Sequence, residues 1–134
     1  MLNVISSISV FETLKKYKLK DLTIKWPNDI MARNKKISGI LIESRIRGNK
    51  INHSVIGIGI NINQSKFKNL PNATSVFIET GELNSIEMMA LELQNTLEKN
   101  FNRLKNNNYE IMEIYNGLLY KKNEVSNFSA LDMT

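Results

Sequence analysis

Apolar positions at steps of three and four residues open the chain. This spacing places them on one face of a helix. It predicts a helix over residues 2–17 whose inward stripe consists of Val4, Ile5, Ile8, Phe11 and Leu14. From residue 22 the pattern changes to a period of two, which is typical of strands. Strands are predicted at 22–26, 30–34, 36–46 and 51–63, separated by turns at 27–29, 34–35 and 47–50.

Helical spacing returns in the second half, after a loop at 64–83 that contains Pro71 and a turn of helix at 73–79. A long helix begins after Asn84 or Ser85 and ends at residues 106–108. Its predicted apolar face consists of Met88, Leu91, Leu93, Leu97, Phe101 and Leu104. The last helix covers 109–120, with Ile111, Ile114, Tyr115 and Leu118 inward. This order of elements predicts an α+β fold with a mixed or antiparallel sheet, a central hairpin and flanking helices.

The composition is that of a globular protein, since 42% of the 134 residues are hydrophobic. Without cysteine there is neither a disulfide framework nor a thiolate metal site, and the single His53 cannot form a histidine cluster. The N-terminus has no basic n-region, and no apolar stretch reaches the length of a membrane span. These features predict a cytoplasmic protein with no membrane partner.

Positive charge is concentrated between residues 15 and 50, which hold 11 Lys or Arg against 3 Asp or Glu, while the remainder holds 7 against 10. A basic block suits an anionic partner, either a nucleotide phosphate or a nucleic acid. It also suits a solvated lysine-rich face, which composition alone favours. Clustered aromatics that would stack single-stranded nucleic acid are lacking, so nucleic-acid binding is the weaker alternative.

The strand at 54–63 has two different faces. Isoleucines at alternate positions form one face, and the other holds Gly57 and Gly59, followed by Asn61. Glycine weakens a strand, and it is usually accepted where something approaches the backbone closely. A flat ligand over the glycines would explain them, and a packed helix or a bulge would explain them equally well. The glycines do not open a helix, so they are not a dinucleotide fingerprint.

Two further positions carry candidate chemistry. Lys25, Asn28 and Asp29 surround a proline turn, where a base, an amide and a carboxylate could together hold a triphosphate and its Mg²⁺. An ordinary turn with Trp26 in the core explains the same residues, and the pattern alone favours it. Lys36 begins a strand, where it is either a gatekeeper against aggregation or a lysine that stabilises charge on a phosphate. Spacing alone does not choose between these.

Three segments, in this order, resemble the catalytic domain of biotin protein ligases: KWPNDI at 25–30, KKISGILIE at 35–43 and VIGIGININ at 55–63. The preceding LNVISSISVFETLKKY resembles the helix that comes before the first of these motifs. The resemblance covers residues 1–63 by sequence and 64–120 by the order of helices. It implies a fold related to that of class II aminoacyl-tRNA synthetases.

The resemblance implies a biotin–[acetyl-CoA-carboxylase] ligase that uses ATP, biotin and Mg²⁺. Lys36 would be the central catalytic lysine, in contact with the biotin carboxylate and the α-phosphate. Asp29 would be the second catalytic residue and the Mg²⁺ ligand. The nucleotide would be bound by Lys25, Asn28, Asp29, Gly57, Gly59 and Asn61. Biotin would be bound by Lys36 and by the backbone of Gly39 and Ile40.

Family members also carry an upstream G-R-G-x-x-G loop, further strands of the biotin pocket and a small C-terminal domain, and these patterns are not found here. Residues 1–120 are therefore expected to be the C-terminal half of the catalytic domain, and 121–134 a tail that leads to an absent C-terminal domain. The expected partner is the biotin carboxyl carrier domain of acetyl-CoA carboxylase. Exposed strand edges favour a homodimer through the sheet, and no DNA-binding domain is recognised. Such a fragment is expected to be inactive alone; the alternative is a non-catalytic nucleotide-binding or interaction module.

Overall fold

The computed structural model describes residues 1–127. Within this range the chain forms α1 (Leu2–Lys15), β1 (Leu22–Lys25), β2 (Asp29–Ala32), β3 (Lys35–Arg47), β4 (Lys50–Ile60), α2 (Val76–Thr80), α3 (Ile86–Asn106) and α4 (Asn108–Gly117). Every predicted element is present, with its ends shifted by a few residues at most, and the predicted α+β class is confirmed. The predicted tail at 121–134 lies partly outside the described residues.

The four strands form one antiparallel sheet in sequence order, so each strand pairs with the strand that follows it. The turn between β2 and β3 needs left-handed backbone at Arg33 (φ 46°) and Asn34 (φ 64°), which is the conformation of a two-residue hairpin turn. The register places Lys25 opposite Asp29, Asp29 opposite Gly39, and Gly39 opposite Gly59. Directly paired residues share a face of the sheet, so these four predicted site residues form one row across it.

The two faces of the β3–β4 hairpin differ in burial. On one face Ile40 pairs with Ile58, and this face packs against the helices. On the other face Leu41 pairs with Gly57, and Leu41 and Val55 are exposed. The predicted division of strand 54–63 into an apolar inner face and a glycine-bearing outer face is confirmed. We call the outer face, which holds the row from Lys25 to Gly59, the open face.

Helix α1 contacts the first three strands as well as α3 and α4, and it is buried on nearly all sides. The predicted stripe is therefore only part of the buried surface. The hydroxyls of Ser6, Ser9 and Thr13 are buried as well, and each donates to the carbonyl four residues earlier at 2.7–2.8 Å. These bonds within the helix satisfy the hydroxyls, which lets a helix with polar positions occupy the centre of the fold.

The apolar face predicted for α3 is partly wrong. Met88 and Leu91 are 63% and 58% exposed, while Met89 and Asn100 are buried. The amide of Asn100 donates to Ser9 Oγ at 3.0 Å and to Glu12 Oε2 at 2.9 Å. The buried side of α3 is thus partly polar and matched to α1, which a pattern of hydrophobicity cannot reveal.

The start of α3 and the inward residues of α4 agree with the sequence, while α4 ends at Gly117, three residues before the predicted end. Ser85 caps α3, because its hydroxyl accepts from the backbone N–H of Met88 at 3.2 Å. In α4 the predicted inward residues Ile111 and Tyr115 are buried. No helix within residues 1–127 has the length and apolarity that a membrane crossing would require.

Candidate ligand-binding site

One open depression on the open face collects the predicted site residues. Its volume of about 1220 Å³ is larger than the roughly 300–1,000 Å³ typical of a small-molecule pocket. Several of its lining residues are exposed, Trp26 and Leu41 among them, so it is a wide groove open to solvent. Every residue that the sequence predicted for the site lines it: Lys25, Asn28, Asp29, Lys36, Gly39, Ile40, Gly57, Gly59 and Asn61.

An ion pair lies in the middle of the depression. The Lys36 Nζ atom is 3.1 Å from Asp29 Oδ1, and both side chains remain partly exposed. Lys25 lies opposite Asp29 in the strand register. Two lysines and one carboxylate leave a net positive charge here, which suits an anionic ligand.

Gly39 makes room for this ion pair. A Cβ atom at this position would lie 3.0 Å from Lys36 Cε and 3.1 Å from Lys36 Nζ, closer than side chains normally approach. The Lys36 side chain therefore lies flat across Gly39 to reach Asp29. The sequence predicted Gly39 as a biotin contact, and the structure adds that it sets the path of the lysine.

The two glycines of β4 face open space. A Cβ on Gly59 would meet no atom within 4 Å, and a Cβ on Gly57 would meet only the Leu41 carbonyl, at 3.6 Å. Within the described residues no helix packs on them, and the bulges of the sheet lie elsewhere, at Ile30/Met31 and Arg45/Ile46. Neither a packed helix nor a bulge accounts for these glycines within the described residues, and close approach of a ligand stays a prediction.

The proline turn between β1 and β2 is held from two sides. The Trp26–Pro27 peptide bond is cis. On one side the backbone N–H of Ile40 donates to the Asn28 carbonyl at 3.1 Å, and the Asn28 side-chain amide donates to the Ile40 carbonyl. On the other side the Tyr115 hydroxyl donates to the Pro27 carbonyl at 3.0 Å. The alternative that placed Trp26 in the core is wrong, because Trp26 is 73% exposed.

These contacts affect the roles predicted for Ile40 in biotin binding and for Asn28 in nucleotide binding. Both backbone polar groups of Ile40 are engaged by Asn28, and the Ile40 side chain lies on the inner face. A backbone hydrogen bond from Ile40 to biotin would therefore require a change at Asn28. The predicted contact of Ile40 with biotin remains a prediction, and the structural role seen for Asn28 is to fix the turn onto β3.

The loop before α2 holds the backbone of Lys36, and Asn61 holds that loop. The Asn61 side-chain amide donates to the Thr74 carbonyl at 3.1 Å. The Lys36 backbone N–H donates to the Asn72 carbonyl at 2.7 Å, and its carbonyl accepts from the Thr74 N–H at 2.9 Å. Asn61 is thus placed at the depression but already holds this loop, and its predicted contact with the nucleotide remains a prediction.

The donor set for a divalent cation is limited to one carboxylate. No group of three His, Cys, Asp or Glu side chains capable of holding a metal occurs within residues 1–127. Mg²⁺ commonly binds proteins through only one or two carboxylates, with substrate phosphates and water completing its shell. Asp29 fits that arrangement as a single carboxylate ligand, with a phosphate and water supplying the other positions.

Known proteins resemble this chain in part of its sequence and in its fold. Residues 1–61 match the model of the biotin/lipoate A/B protein ligase family. The bifunctional ligase/repressor BirA of Bacillus subtilis is 36% identical over 63 residues, which are 47% of this chain and 19% of that protein. By sequence in its first half and by fold over most of its length, the chain is similar to biotin protein ligases. The biotin–[acetyl-CoA-carboxylase] ligase of Paracoccus denitrificans is 44% identical over 41 residues, 31% of this chain and 17% of that protein.

Solved biotin protein ligases extend the likeness beyond the matched segment. The apo structure of the Aquifex aeolicus enzyme superimposes with a TM-score of 0.77 at 26% identity, covering 89% of this chain and 53% of that one. The Leishmania major enzyme in complex with biotinyl-5-AMP has the same fold, with a TM-score of 0.71 at 23% identity over 96% of this chain and 57% of that one. The chain thus spans about a fifth of the curated biotin ligases and about half of the solved ones.

Sequence reasoning missed the residues that support the site from outside the motifs. Tyr115 belongs to α4, and it was assigned only an inward position. Glu79 belongs to α2; its nearly buried carboxylate accepts from Thr74 Oγ1 at 2.6 Å and pairs with Arg33 Nε at 3.4 Å. The bonds of Tyr115 to Pro27 and of Glu79 to Arg33 join residues that are distant in sequence, so a local sequence pattern does not predict them.

Proposed function

We propose that this chain supplies the nucleotide-side half of a biotin protein ligase catalytic site. In the proposed reaction a biotin carboxylate oxygen attacks the α-phosphorus of ATP, a P–O bond forms, and pyrophosphate leaves. The amine of an acceptor lysine then attacks the acyl carbon, an amide bond forms, AMP leaves, and the lysine nitrogen gives up a proton. Alignment of the reactants and stabilisation of charge around phosphorus do most of the catalytic work in such a reaction.

The row across the sheet carries this proposal. Lys25, Asp29, Gly39 and Gly59 lie side by side on four neighbouring strands, and Lys36 lies across Gly39. The two lysines provide positive charge for binding phosphate. The glycines leave the strand backbone accessible to a flat ligand. An ordinary surface sheet has no need for either feature at these positions. The similarity to ligases over residues 1–61 includes all of these residues.

Each side chain has a specific role in this proposal. Lys36 leaves Asp29 when ATP binds and turns its ammonium group to the α-phosphate and the biotin carboxylate, where it stabilises the charge that develops during attack. Asp29 is then free to bind a Mg²⁺ ion, which would neutralise phosphate charge. Lys25 binds the part of ATP that leaves as pyrophosphate. Gly57 and Gly59 allow the ligand to lie against β4, with Asn61 at the nucleotide and Gly39 beside biotin.

The wider setting is part of the proposal. Residues 1–120 would form the C-terminal half of the catalytic domain, and residues 121–134 would lead out of it. The acceptor would be a biotin carboxyl carrier domain, as in acetyl-CoA carboxylase, and the protein would act in the cytoplasm. The exposed edge of β4 would be available for pairing with a second copy.

ATP binding to the chain alone tests the proposed site. Calorimetric titration with MgATP should show binding, and Lys36→Ala should weaken it by about tenfold, because a charge-assisted hydrogen bond is lost at a partly exposed site. Lys35→Ala is the matched control, since Lys35 is an exposed neighbour outside the depression. No binding by the folded wild-type chain, or equal loss in both variants, would contradict the assignment.

A non-catalytic binding module is the second candidate, and the openness of the depression favours it. A groove that is open along one side can hold a nucleotide without excluding water from it. Such a module would bind ATP with the same dependence on Lys36. It would differ in forming no biotinyl-adenylate, even when the rest of a ligase site is supplied.

A further inference from the structure

Helix α4 is bonded to the proline turn at the edge of the depression. The Tyr115 hydroxyl donates to the Pro27 carbonyl at 3.0 Å, although 88 residues separate the two along the chain. Tyr115 is 3% exposed and belongs to the core together with Ile111. Burial raises the pKa of the Tyr115 phenol, so the hydroxyl stays protonated and remains a donor at neutral pH.

The bond is made at the turn that sets the geometry of the row. Trp26, Pro27 and Asn28 connect β1 to β2 and bring Lys25 opposite Asp29. Asn28 fixes the end of this turn to Ile40 on β3. The Tyr115 hydroxyl fixes its middle. Without the hydroxyl, the turn itself would keep its attachment at Asn28, and β1 before it would stay bonded through Ile24 to Leu118 and Tyr120.

We propose that Tyr115 is a positioning residue for the nucleotide site, acting on Lys25 and Asp29 through the Pro27 carbonyl. The ring alone does not explain a tyrosine here, because a phenylalanine would fill the same space. The hydroxyl adds a fixed attachment between the helical layer and the turn. The effect on ATP rests on the proposed function, whereas the attachment itself does not.

Tyr115→Phe tests the proposal, and the only tryptophan of the chain, Trp26, reports the result. Trp26 adjoins Pro27 and is largely exposed, so its fluorescence anisotropy follows the motion of the turn. We expect Tyr115→Phe to lower the anisotropy of Trp26 in the absence of ligand. We also expect it to weaken MgATP binding by about fivefold, the effect of one neutral hydrogen bond. Tyr109→Phe is the matched control, because Tyr109 lies on the same helix but is exposed.

The outcomes separate this inference from the proposed function. If the folded Tyr115→Phe chain keeps wild-type anisotropy, or binds ATP as the wild type does, Tyr115 does not position the site. If the wild-type chain binds no ATP, the proposed function fails, and the anisotropy alone decides whether Tyr115 holds the turn. If Tyr115→Phe does not fold, NMR of the wild type decides. A slowly exchanging Tyr115 hydroxyl proton close to the Asn28 amide would support the attachment, and a rapidly exchanging one would overturn it.

Discussion

Lys36 reaches Asp29 by lying across Gly39. The Nζ–Oδ1 distance is 3.1 Å, and the lysine chain occupies the space that a Cβ on Gly39 would need. Three residues from two strands thus form one unit, in which a glycine sets the path of a lysine toward a carboxylate. A ligand phosphate can replace the carboxylate as the partner of Lys36, because the pair is partly solvated and exchanges partners at little cost.

Gly39→Ala should displace the Lys36 side chain without unfolding the protein. The clash falls on the flexible end of a lysine, so the free energy of unfolding should change by no more than about 0.5 kcal/mol. MgATP binding should weaken. Because the effect passes through Lys36, the double variant with Lys36→Ala should bind no more weakly than Lys36→Ala alone. Fully additive losses in calorimetric titration would show that Gly39 acts independently of the lysine.

Gly59→Ala should stabilise the chain and weaken ligand binding. The new methyl group meets no atom within 4 Å, and alanine in a strand is more favourable than glycine by about 0.5–1 kcal/mol. A ligand lying against β4 would be displaced, and its affinity should fall at least about tenfold. Thermal unfolding and MgATP titration on the same sample measure both effects. A stabilised variant with unchanged affinity would mean that the ligand does not approach Gly59.

The sequence was sufficient for the order of elements and the faces of β4, because these follow from local periodicity. It also named the residues that the structure brings together in the row, and their roles in binding stay predictions. It was not sufficient for the supporting contacts. The inward side of α3 was misjudged at Met88, since its buried side uses Asn100 to bond Ser9 and Glu12. Hydrogen bonds between side chains of distant segments produce no periodic pattern in the sequence. The contact of Tyr115 with Pro27 was missed for the same reason.

Ile58→Asp and Val55→Asp test the two faces of β4. Ile58 faces the core, so an aspartate there would lose apolar contacts and bring an unpaired charge toward the core. The expected loss is roughly 2–4 kcal/mol. Val55 is 62% exposed on the open face, so the same change should cost less than about 1 kcal/mol. Urea unfolding of the two variants measures the difference, and comparable losses would mean that the faces are wrongly assigned.

Tyr17 makes stability depend on pH in the alkaline range. Burial, with the bond from its hydroxyl to Glu92 Oε2 at 2.9 Å, raises the pKa of Tyr17 to about 12, above the usual 10.0. The folded state therefore favours the protonated phenol. This contribution is fully present below pH 10 and is lost as the pH rises through about 12.

The test compares the wild type with Tyr17→Phe by urea unfolding at about pH 8 and about pH 11.5. At the lower pH the free energy of unfolding should be larger for the wild type than for Tyr17→Phe. At the higher pH this difference should be smaller. Tyr109→Phe, at an exposed position, should show no such trend. An advantage that stays constant between the two values would show that the Tyr17 phenol does not titrate differently on unfolding.

The most direct test of the central claim is biotin transfer to a carrier domain with ATP and Mg²⁺. The chain is assayed alone and together with the part of the Aquifex aeolicus ligase that precedes the matched region, with Lys36→Ala in parallel. We expect transfer only when both parts are present, and none with Lys36→Ala. If the folded chain gives no transfer in either case, or if Lys36→Ala transfers biotin at the wild-type rate, the account is contradicted.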